Sequence, residues 1–448
     1  MSYLSELVKT IHTTNSSPTG KKFVISTTGG GFSSTYYLMS QPGASNTILE
    51  LNGPYAREAT LDLLNRDSHT KTQLDQFASE SAALEMADAS LKRAHKLLIM
   101  QSSTIDQLMS LESGVGIGVA CALASSSWKR GAHRCHVVIA DGKQNIHFSL
   151  NLYKGEESKP FRTRPAEDEL CGALVVSAVA VASGQMELSD VIVNLKANCG
   201  LSDLDTFDVD TNQVSNPIEQ LIAKQVSNVL CINGAMIPNV PLTALGEYAK
   251  EKPKIIMLPG SFNPFHLGHK SILEESVALG SLLANLPSST GIYELCVSNV
   301  DKPSMELQEV MRRLKQFNTT PVILTNSPRF MDKATQFPGV SFAIGVDTAI
   351  RLVDPKYTNG DVQLMIDAVI NMTSQGTRFF VHSRTYGVAG ISLGFTLKME
   401  PSELLSLTKI IDFIPEVLRP FFIELPGTEF KDISSSQLRK SQVEKELS

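Results

Sequence analysis

Apolar residues fall at helical spacing in Phe77, Leu84, Ala87 and Leu91, which predicts a helix from about Leu74 to Lys92. Before it come a helix at Tyr3 to His12 and a strand, Lys22 to Thr27, that runs into Gly29-Gly30-Gly31. After it, β-rich runs predict strands at Gly116 to Ala122 and Cys135 to Ala140, followed by an apolar helix from Ala166 to Ala182. The pattern loses definition from about Leu188 to Asn239, which holds Val191-Ile192-Val193, an Asp-rich segment and a helix-like run after Pro217. Pro238, Pro241 and Pro253 then punctuate the chain, and a domain boundary is placed near residue 245.

From Lys254 onward, short β-rich runs alternate with helical or loop stretches: Ile255 to Leu258, Tyr293 to Val297, Pro321 to Thr325, Phe342 to Val346 and Arg378 to Val381. Buried apolar strands separated by helices imply a parallel sheet covered on both faces. Ligands of such sheets sit at the carboxyl ends of the strands, where the strand order reverses. The chain is therefore expected to be α/β, with one domain over 1–245 and a second over 246–448.

Composition narrows the partners. The 448 residues carry 40 basic and 46 acidic side chains, a net charge of −6, which argues against a broad surface for nucleic acid or an anionic membrane. The cysteines (Cys121, Cys135, Cys171, Cys199, Cys231 and Cys296) are scattered, with no C-x-x-C pair and no zinc spacing. That favours buried structural thiols in a reducing compartment, and no metal site. The longest apolar run, Ala173 to Ala182, is far short of the roughly 20 residues that span a bilayer. The first residues, MSYLSELVKTIHTTNSSP, have neither secretory nor transit character. A cytoplasmic or nucleocytoplasmic protein is expected.

The chemistry concentrates after Ile255 to Leu258, in Pro259-Gly260-Ser261-Phe262-Asn263-Pro264-Phe265-His266-Leu267-Gly268-His269. Gly260 and Ser261 let backbone N–H groups approach a phosphate. His266 and His269, three apart at a helix start, share one face, and Gly268 between them leaves room for a nucleotide. With no carboxylate and no third imidazole they make a poor metal site and a good clamp for charge on a phosphoryl group. Composition alone would produce H-x-G-H about 0.01 times in a chain like this. A second anion site is predicted where Asp432 to Arg439 opens a helix through Lys445. There Ser434, Ser435 and Ser436 offer hydroxyls and free N–H groups, with Arg439 one turn on. No Walker-type G-x-x-x-x-G-K-[ST] occurs, so a nucleoside triphosphate must be held in this other way.

Together these segments resemble the H-x-G-H nucleotidyltransferase superfamily and, within it, the nicotinamide/nicotinate mononucleotide adenylyltransferases, over about Lys254 to Ser448. Gly260 to Pro264 resembles that family's G-S-F-N-P opening. Ile433 to Arg439 resembles its I-S-S-T-x-x-R segment, with Ser436 in place of Thr. Gly345-Val346-Asp347 resembles the G-x-D turn on the ribose and adenine side of ATP. Asp301-Lys302-Pro303 with Arg312-Arg313 resembles the loop and helix that handle the mononucleotide phosphate. Arg384 falls where the family often has an arginine near the active site.

The resemblance implies a Rossmann-like parallel-sheet nucleotidyltransferase domain that transfers the adenylyl group of ATP to a pyridine mononucleotide and releases pyrophosphate. His266 and His269 would stabilise the α-phosphate. Gly260, Ser261, Phe262, Asn263, Gly268, Gly345, Asp347, Ser434, Ser435 and Arg439 would bind ATP, and Lys302, Arg313 and Arg384 the mononucleotide. Mg²⁺ would bridge phosphate oxygens with few protein ligands. Members often stack a Trp on the pyridine ring, yet the one Trp here, Trp128, lies in the other half.

Residues from about 20 to 185 resemble the C-terminal domain of CinA competence-damage proteins, which includes nicotinamide mononucleotide deamidases. Ile25 to Gly30 corresponds to that family's E-S-C-T-G-G, Pro42 to Ser45 to its P-G-A-S turn, and Tyr55 to Thr60 to its Y-S-N-E-A-K. Ser26 stands at the nucleophile position and Tyr55 remains, but Thr60 replaces the catalytic lysine and cannot deprotonate a serine. The family's T-G-I-A-G-P-G-G segment becomes Gly116 to Leu123, and Gly114 to Gly118 lacks the spacing of a dinucleotide fingerprint. A non-catalytic packing or oligomerisation domain in a homo-oligomer is expected, with Gly29 to Gly31 still able to hold a phosphate. Two alternatives stay open for the second half: transfer to another phosphorylated acceptor such as phosphopantetheine, or a nucleotide-binding sensor or scaffold without turnover.

Overall fold

The computed structural model describes residues 3–64, 77–128, 130–247, 252–283, 289–298, 304–385 and 404–426. By internal contacts the chain divides into two units, Met1–Leu98 with Ser110–Ser215, and Ile99–Met109 with Asn216–Ser448.

The first unit is built on a mixed sheet of β1 (Lys22–Thr28), β2 (Ile48–Asn52), β3 (Gly114–Ala122), β4 (His133–Ala140), β5 (Gln144–Leu152) and β6 (Thr206–Gln213), in the order β2-β1-β3-β4-β5-β6. The first three neighbours run parallel and the rest antiparallel. One face buries Phe23, Ile25, Val115, Val137 and Phe148 with apolar residues of the helices Tyr3–Thr14 and Arg164–Ala182. The other face meets the helix Glu80–Gln101, where Ala82, Ala83 and Ala87 pack with Ala120, Val138 and Ala140.

That second packing depends on glycine. A Cβ at Gly116 would lie 2.1 Å from the Ala87 carbonyl oxygen, and one at Gly118 would lie 2.0 Å from that of Ala83. The glycine alternation that fails as a nucleotide fingerprint is what lets a helix backbone rest on β3. The helix begins later and ends later than its periodicity predicts. Ser79 Oγ accepts from Ala82 N (3.2 Å) at its start, and buried Ala94 and Leu98 continue its stripe beyond Lys92. The predicted start at Leu74 lies outside the described residues.

The ill-defined stretch also resolves. Val191 to Val193 lie in the helix Leu188–Asn198, and the Asp-rich segment is the exposed edge strand β6, whose charges discourage further pairing. The hairpin β7 (Asn228–Ile232) and β8 (Ala235–Pro238) belongs to the second sheet, which is why the units divide after Ser215, upstream of the boundary expected near 245.

The second sheet continues with β9 (Lys254–Pro259), β10 (Ser289–Cys296), β11 (Val322–Thr325), β12 (Ser341–Gly345), β13 (Phe379–His382) and β14 (Phe422–Glu424). Its order is β8-β7-β11-β10-β9-β12-β13-β14. All neighbours from β11 to β14 are parallel, and the hairpin adds an antiparallel edge. The chain moves outward from β9 through β10 to β11, then crosses back to β12 on the other side of β9. The carboxyl ends of β9 and β12 therefore flank the reversal point where open α/β sheets bind ligands. Among the described residues, no helix is long and apolar enough to cross a membrane.

Candidate active site

β9 delivers the chain to the reversal point, and Gly260 N extends its ladder by donating to the Glu294 carbonyl oxygen (3.0 Å). The turn then folds inward at Phe262, which has φ 46° and a fully buried side chain. Its ring meets those of Phe265, His269, Tyr293 and Phe317 at centroid distances of 6.0, 5.0, 5.7 and 5.1 Å. Phe262 is thus the anchor of the loop, and only its backbone is left for the nucleotide contact expected of it.

The loop is clamped from the helix Leu307–Leu314 and the turn that follows. Arg313 Nη1 donates to the Ser261 carbonyl oxygen (2.8 Å), and Arg312 Nη2 donates to Asn263 Oδ1 (2.8 Å). Gln316 donates to the Phe262 carbonyl oxygen (3.0 Å) and accepts from Phe265 N (2.8 Å). Glu309 ties both guanidiniums together at 2.7 Å, and they, Arg312 foremost, hold its carboxyl down at about 2. Gln316 carries no chemistry of its own in the sequence, so its role was invisible there. The Glu309/Arg312/Arg313 spacing of three and four on one helix was the available signal.

The helix Leu267–Leu283 starts directly after His266. The imidazoles of His266 and His269 stack with centroids 3.8 Å apart and planes 29° apart. His266 N donates to His269 Nδ1 (3.2 Å), which leaves the His269 proton on Nε2. A Cβ on Gly268 would stand 3.0 Å from His266 Nδ1, so any larger residue here would press the His266 ring out of its present position. His266 Nδ1 itself is buried and meets no hydrogen-bond partner among the described residues. Burial, reinforced by the charge His266 would carry, pushes His269 down to about 3, and burial plus Arg384 lowers His266. Both rings are therefore neutral at pH 7. The pair offers neutral N–H donors rather than the cationic points that two histidines beside a phosphate site suggest.

From across the reversal point, β12 ends at Gly345 and Asp347 opens the helix Val346–Leu352. Asp347 Oδ2 faces Arg384 Nη1, beyond β13, at 3.9 Å. The fold thus gathers Gly260, Ser261, Asn263, His266, Gly268, His269, Arg313, Gly345, Asp347 and Arg384 at one end of the sheet. Lys302, Ser434, Ser435 and Arg439 lie outside the described residues.

A cavity of about 470 Å³ opens beside the loop, lined by Gly260, Ser261, Cys296, Ser298, Arg313 and Phe330. Glu294 and Lys333 also line it, as an ion pair (2.6 Å) with side chains 1% and 4% exposed. Lys333 also donates to the Ser327 carbonyl oxygen (2.7 Å), and the Thr325 hydroxyl donates to the same Glu294 oxygen. The pair was missed because a lone Glu in an apolar strand and a Lys on a short helix have no spacing that links them.

In the first unit the deamidase-like positions face different neighbours. Ser26 is fully buried with its Oγ 2.8 Å from Ser90 Oγ, and Thr60 donates to the Pro54 carbonyl oxygen (2.9 Å). Tyr55 is 65% exposed, with its ring 6.3 Å from that of Phe32. The phosphate-holding role expected of the glycine turn is already filled from within the chain. Gly31, Phe32 and Ser33 donate their N–H groups to the Asp168 carboxylate at 2.8, 3.2 and 2.9 Å.

Residues 257–441 match the cytidylyltransferase-like family model, so the second unit carries a cytidylyltransferase-like domain of the nucleotidyl-transfer kind. Among solved structures, the chain is similar to a competence/damage inducible protein (CihA) from Agrobacterium tumefaciens, with 16% identity and a TM-score of 0.30 over 41% of this chain and 94% of that one. It is also similar to a CinA superfamily protein from Enterobacter cloacae, with 14% identity and a TM-score of 0.27 over 41% and 90%. No curated protein matches the chain.

Proposed function

We propose that the second unit transfers the adenylyl group of ATP to nicotinamide or nicotinate mononucleotide, giving the dinucleotide and pyrophosphate. The observation that carries this reading is the stacked His266/His269 pair beside a rigid Gly260–Pro264 turn at the reversal point of a parallel sheet. The acceptor's phosphate attacks the α-phosphorus in line, so the protein needs no nucleophile of its own. Its task is positioning and charge stabilisation. The His269 Nε2–H and the free edge of His266 donate to the α-phosphate oxygens as negative charge builds on them. Arg313 and Gln316 hold the turn that presents the Gly260 and Ser261 backbone. Asp347 and Arg384 bound the nucleoside side.

The described groups at this end of the sheet are backbone N–H groups, imidazoles and guanidiniums, with the carboxylates already engaged: Glu309 by Arg312 and Arg313, Glu294 by Lys333, and Asp347 facing Arg384. That donor set suits phosphates and offers no oxygen cage, so Mg²⁺ belongs with the triphosphate as it arrives. The cavity over Glu294 and Lys333 is the place for the acceptor, and Phe330 supplies an aromatic wall in the half that lacks a Trp.

The test is incubation of the full chain with ATP, Mg²⁺ and a panel of phosphorylated acceptors, following pyrophosphate and the dinucleotide. Pyrophosphate release with phosphopantetheine but with neither pyridine mononucleotide would replace the acceptor. Release with none of them, despite ATP binding, would leave a sensor. For the first unit, the sealed Ser26 and the absent base support a non-catalytic role, and ammonia release from nicotinamide mononucleotide is the measurement that opposes it.

A further inference from the structure

Cys121, Cys135 and Cys171 are too far apart in sequence for any spacing rule to connect them. The fold connects them. β3 and β4 pair in a register that sets Cys121 opposite Cys135, and Cys171 on the helix Arg164–Ala182 joins them in the same core. The three Sγ atoms lie within 4.8 Å of one another, and all three residues are buried. We propose that this trio is a three-sulfur binding site for a soft d¹⁰ cation, with Cu(I) as its best match. It is held inside the first unit and is separate from the nucleotidyl-transfer site.

The geometry suits such an ion. Three sulfurs placed about 2.3 Å from one centre, in its plane, stand about 4 Å from each other. That separation falls inside the spread the fold already imposes. Ligand chemistry narrows the choice further, because an all-sulfur set selects Cu(I) or Zn²⁺ over harder ions. A structural zinc site wants four ligands. Among the described residues, no histidine or carboxylate joins these three. The surrounding core, including Val119, Leu123 and Val175, is apolar and fully or almost fully buried. A three-coordinate ion fits.

The cover over the site is also built. The turn through Gly30 and Gly31 passes close enough that a Cβ on each would lie 3.2 Å from Cys121 Cβ and 3.8 Å from Cys171 Cβ. Asp168, three residues before Cys171, pins that turn through the N–H groups of Gly31, Phe32 and Ser33. The metal-free trio is linked by its own S–H groups. Hydrogen bonds from Cys121 and Cys171 draw the Cys135 thiol down, while burial pushes Cys121 up and the neighbouring thiols push Cys171 up. On loading, the remaining S–H protons leave to solvent and the ion takes their place. Nothing is oxidised or reduced, and loading weakens as pH falls.

The experiment uses the full chain, reduced and anaerobic, with Cu(I) as the probe. Bound copper is counted per chain, and its first shell is read by X-ray absorption. The expected result is one ion per chain with three sulfur neighbours. Affinity should fall at least tenfold in Cys135→Ser and stay unchanged in Cys199→Ser and Cys231→Ser. Three results overturn the proposal: no stoichiometric copper, a shell containing nitrogen or oxygen, or binding that survives Cys135→Ser. Should Cys135→Ser fail to fold, the wild-type chain still decides. During denaturant unfolding, copper must shield Cys121, Cys135 and Cys171 from alkylation but leave Cys199, Cys231 and Cys296 reactive. Any other pattern rejects the site.

Discussion

His266→Ala separates catalysis from stability in a way the structure makes quantitative. The ring contributes one stacking contact with His269 at 3.8 Å, and such aromatic pairs are worth about 0.5–1.5 kcal/mol. Against that, its Nδ1 is buried without a partner among the described residues, a burden of about 1–3 kcal/mol. The two nearly cancel, so removal leaves folding unchanged or slightly improved, and the melting temperature should not fall by more than about 4 °C. In the proposed reaction the site loses a donor aimed at the charge that builds on the α-phosphate. Removing one such donor costs about 10²–10³ in kcat, or about 2.7–4 kcal/mol. The assay pairs thermal melting with steady-state pyrophosphate release at saturating ATP. If kcat stayed within tenfold of wild type while the protein melted normally, the histidine clamp would be refuted. A loss of activity that merely tracked a loss of folded protein would refute the separation.

Gly268→Ala should reproduce part of that kinetic loss without removing either imidazole, since its Cβ would press on the His266 ring at 3.0 Å; unchanged kcat would show that the stack is not required. Gly116→Ala should destabilise the first unit by about 1–3 kcal/mol, because its Cβ meets the Ala87 carbonyl oxygen at 2.1 Å and backbone cannot yield cheaply; urea denaturation measures it. Lys333→Met should cost about 3–5 kcal/mol by stranding Glu294, and the double change with Glu294→Gln should recover most of it; a double variant as unstable as the single one would mean that the pair's charges are not the issue. Stability should also fall in mild acid. His95 and His136 are held at about 4 by burial, and His269 at about 3, all below the ordinary value of 6.5. The unfolded chain therefore takes up protons that the folded chain refuses, and stability present above pH 6.5 is lost as pH falls towards 4. Melting temperatures that stay flat from pH 7 to pH 5 would contradict that burial.

How much of this was visible in the sequence depended on whether the deciding interaction was local. β9 to β13 were legible because each is a short apolar run, buried on both faces, with a helix or loop on either side. β6 was not, because its alternation is only two apolar residues long, Phe207 and Val209 between aspartates, before Thr, Asn and Gln take over; its pairing with β5 makes it a strand. The hairpin β7–β8 was hidden for a related reason, since its partner β11 lies ninety residues or so further on. At the site, the glycines and histidines of the turn announce themselves by adjacency. Phe262 looked like part of the ligand surface for the same reason, although a φ of 46° sends its ring inward. Glu294 with Lys333, and the three clustered thiols, exist only as products of tertiary packing, in each case a helix residue brought onto strand residues.

A net charge of −6 and the polyanionic substrate proposed above are compatible for a reason that the site's own ion pairs supply. The described cations placed here already have carboxylate partners: Arg312 and Arg313 share Glu309, Lys333 holds Glu294, and Arg384 faces Asp347. The imidazoles are neutral, because burial and their neighbours keep protons off them. Among the described groups, then, there is little uncompensated positive charge to attract phosphate from a distance. Recognition by the described groups must come instead from N–H groups held in fixed directions, which exert their full effect only once water has been excluded. Such a site gains little from long-range steering. Where the described groups carry recognition, the association rate for a nucleoside triphosphate should change little between low and high salt, whereas steering by Lys302 or Arg439, outside the described residues, would slow it steeply as ionic strength rises. The proton balance points the same way. A triphosphate brought against two neutral imidazoles raises their affinity for protons, so binding should draw protons from the buffer below about pH 6.5 and draw none at pH 8. Calorimetry in buffers of different ionisation enthalpy would read that uptake directly, and equal heats at the lower pH would mean the triphosphate does not reach the pair.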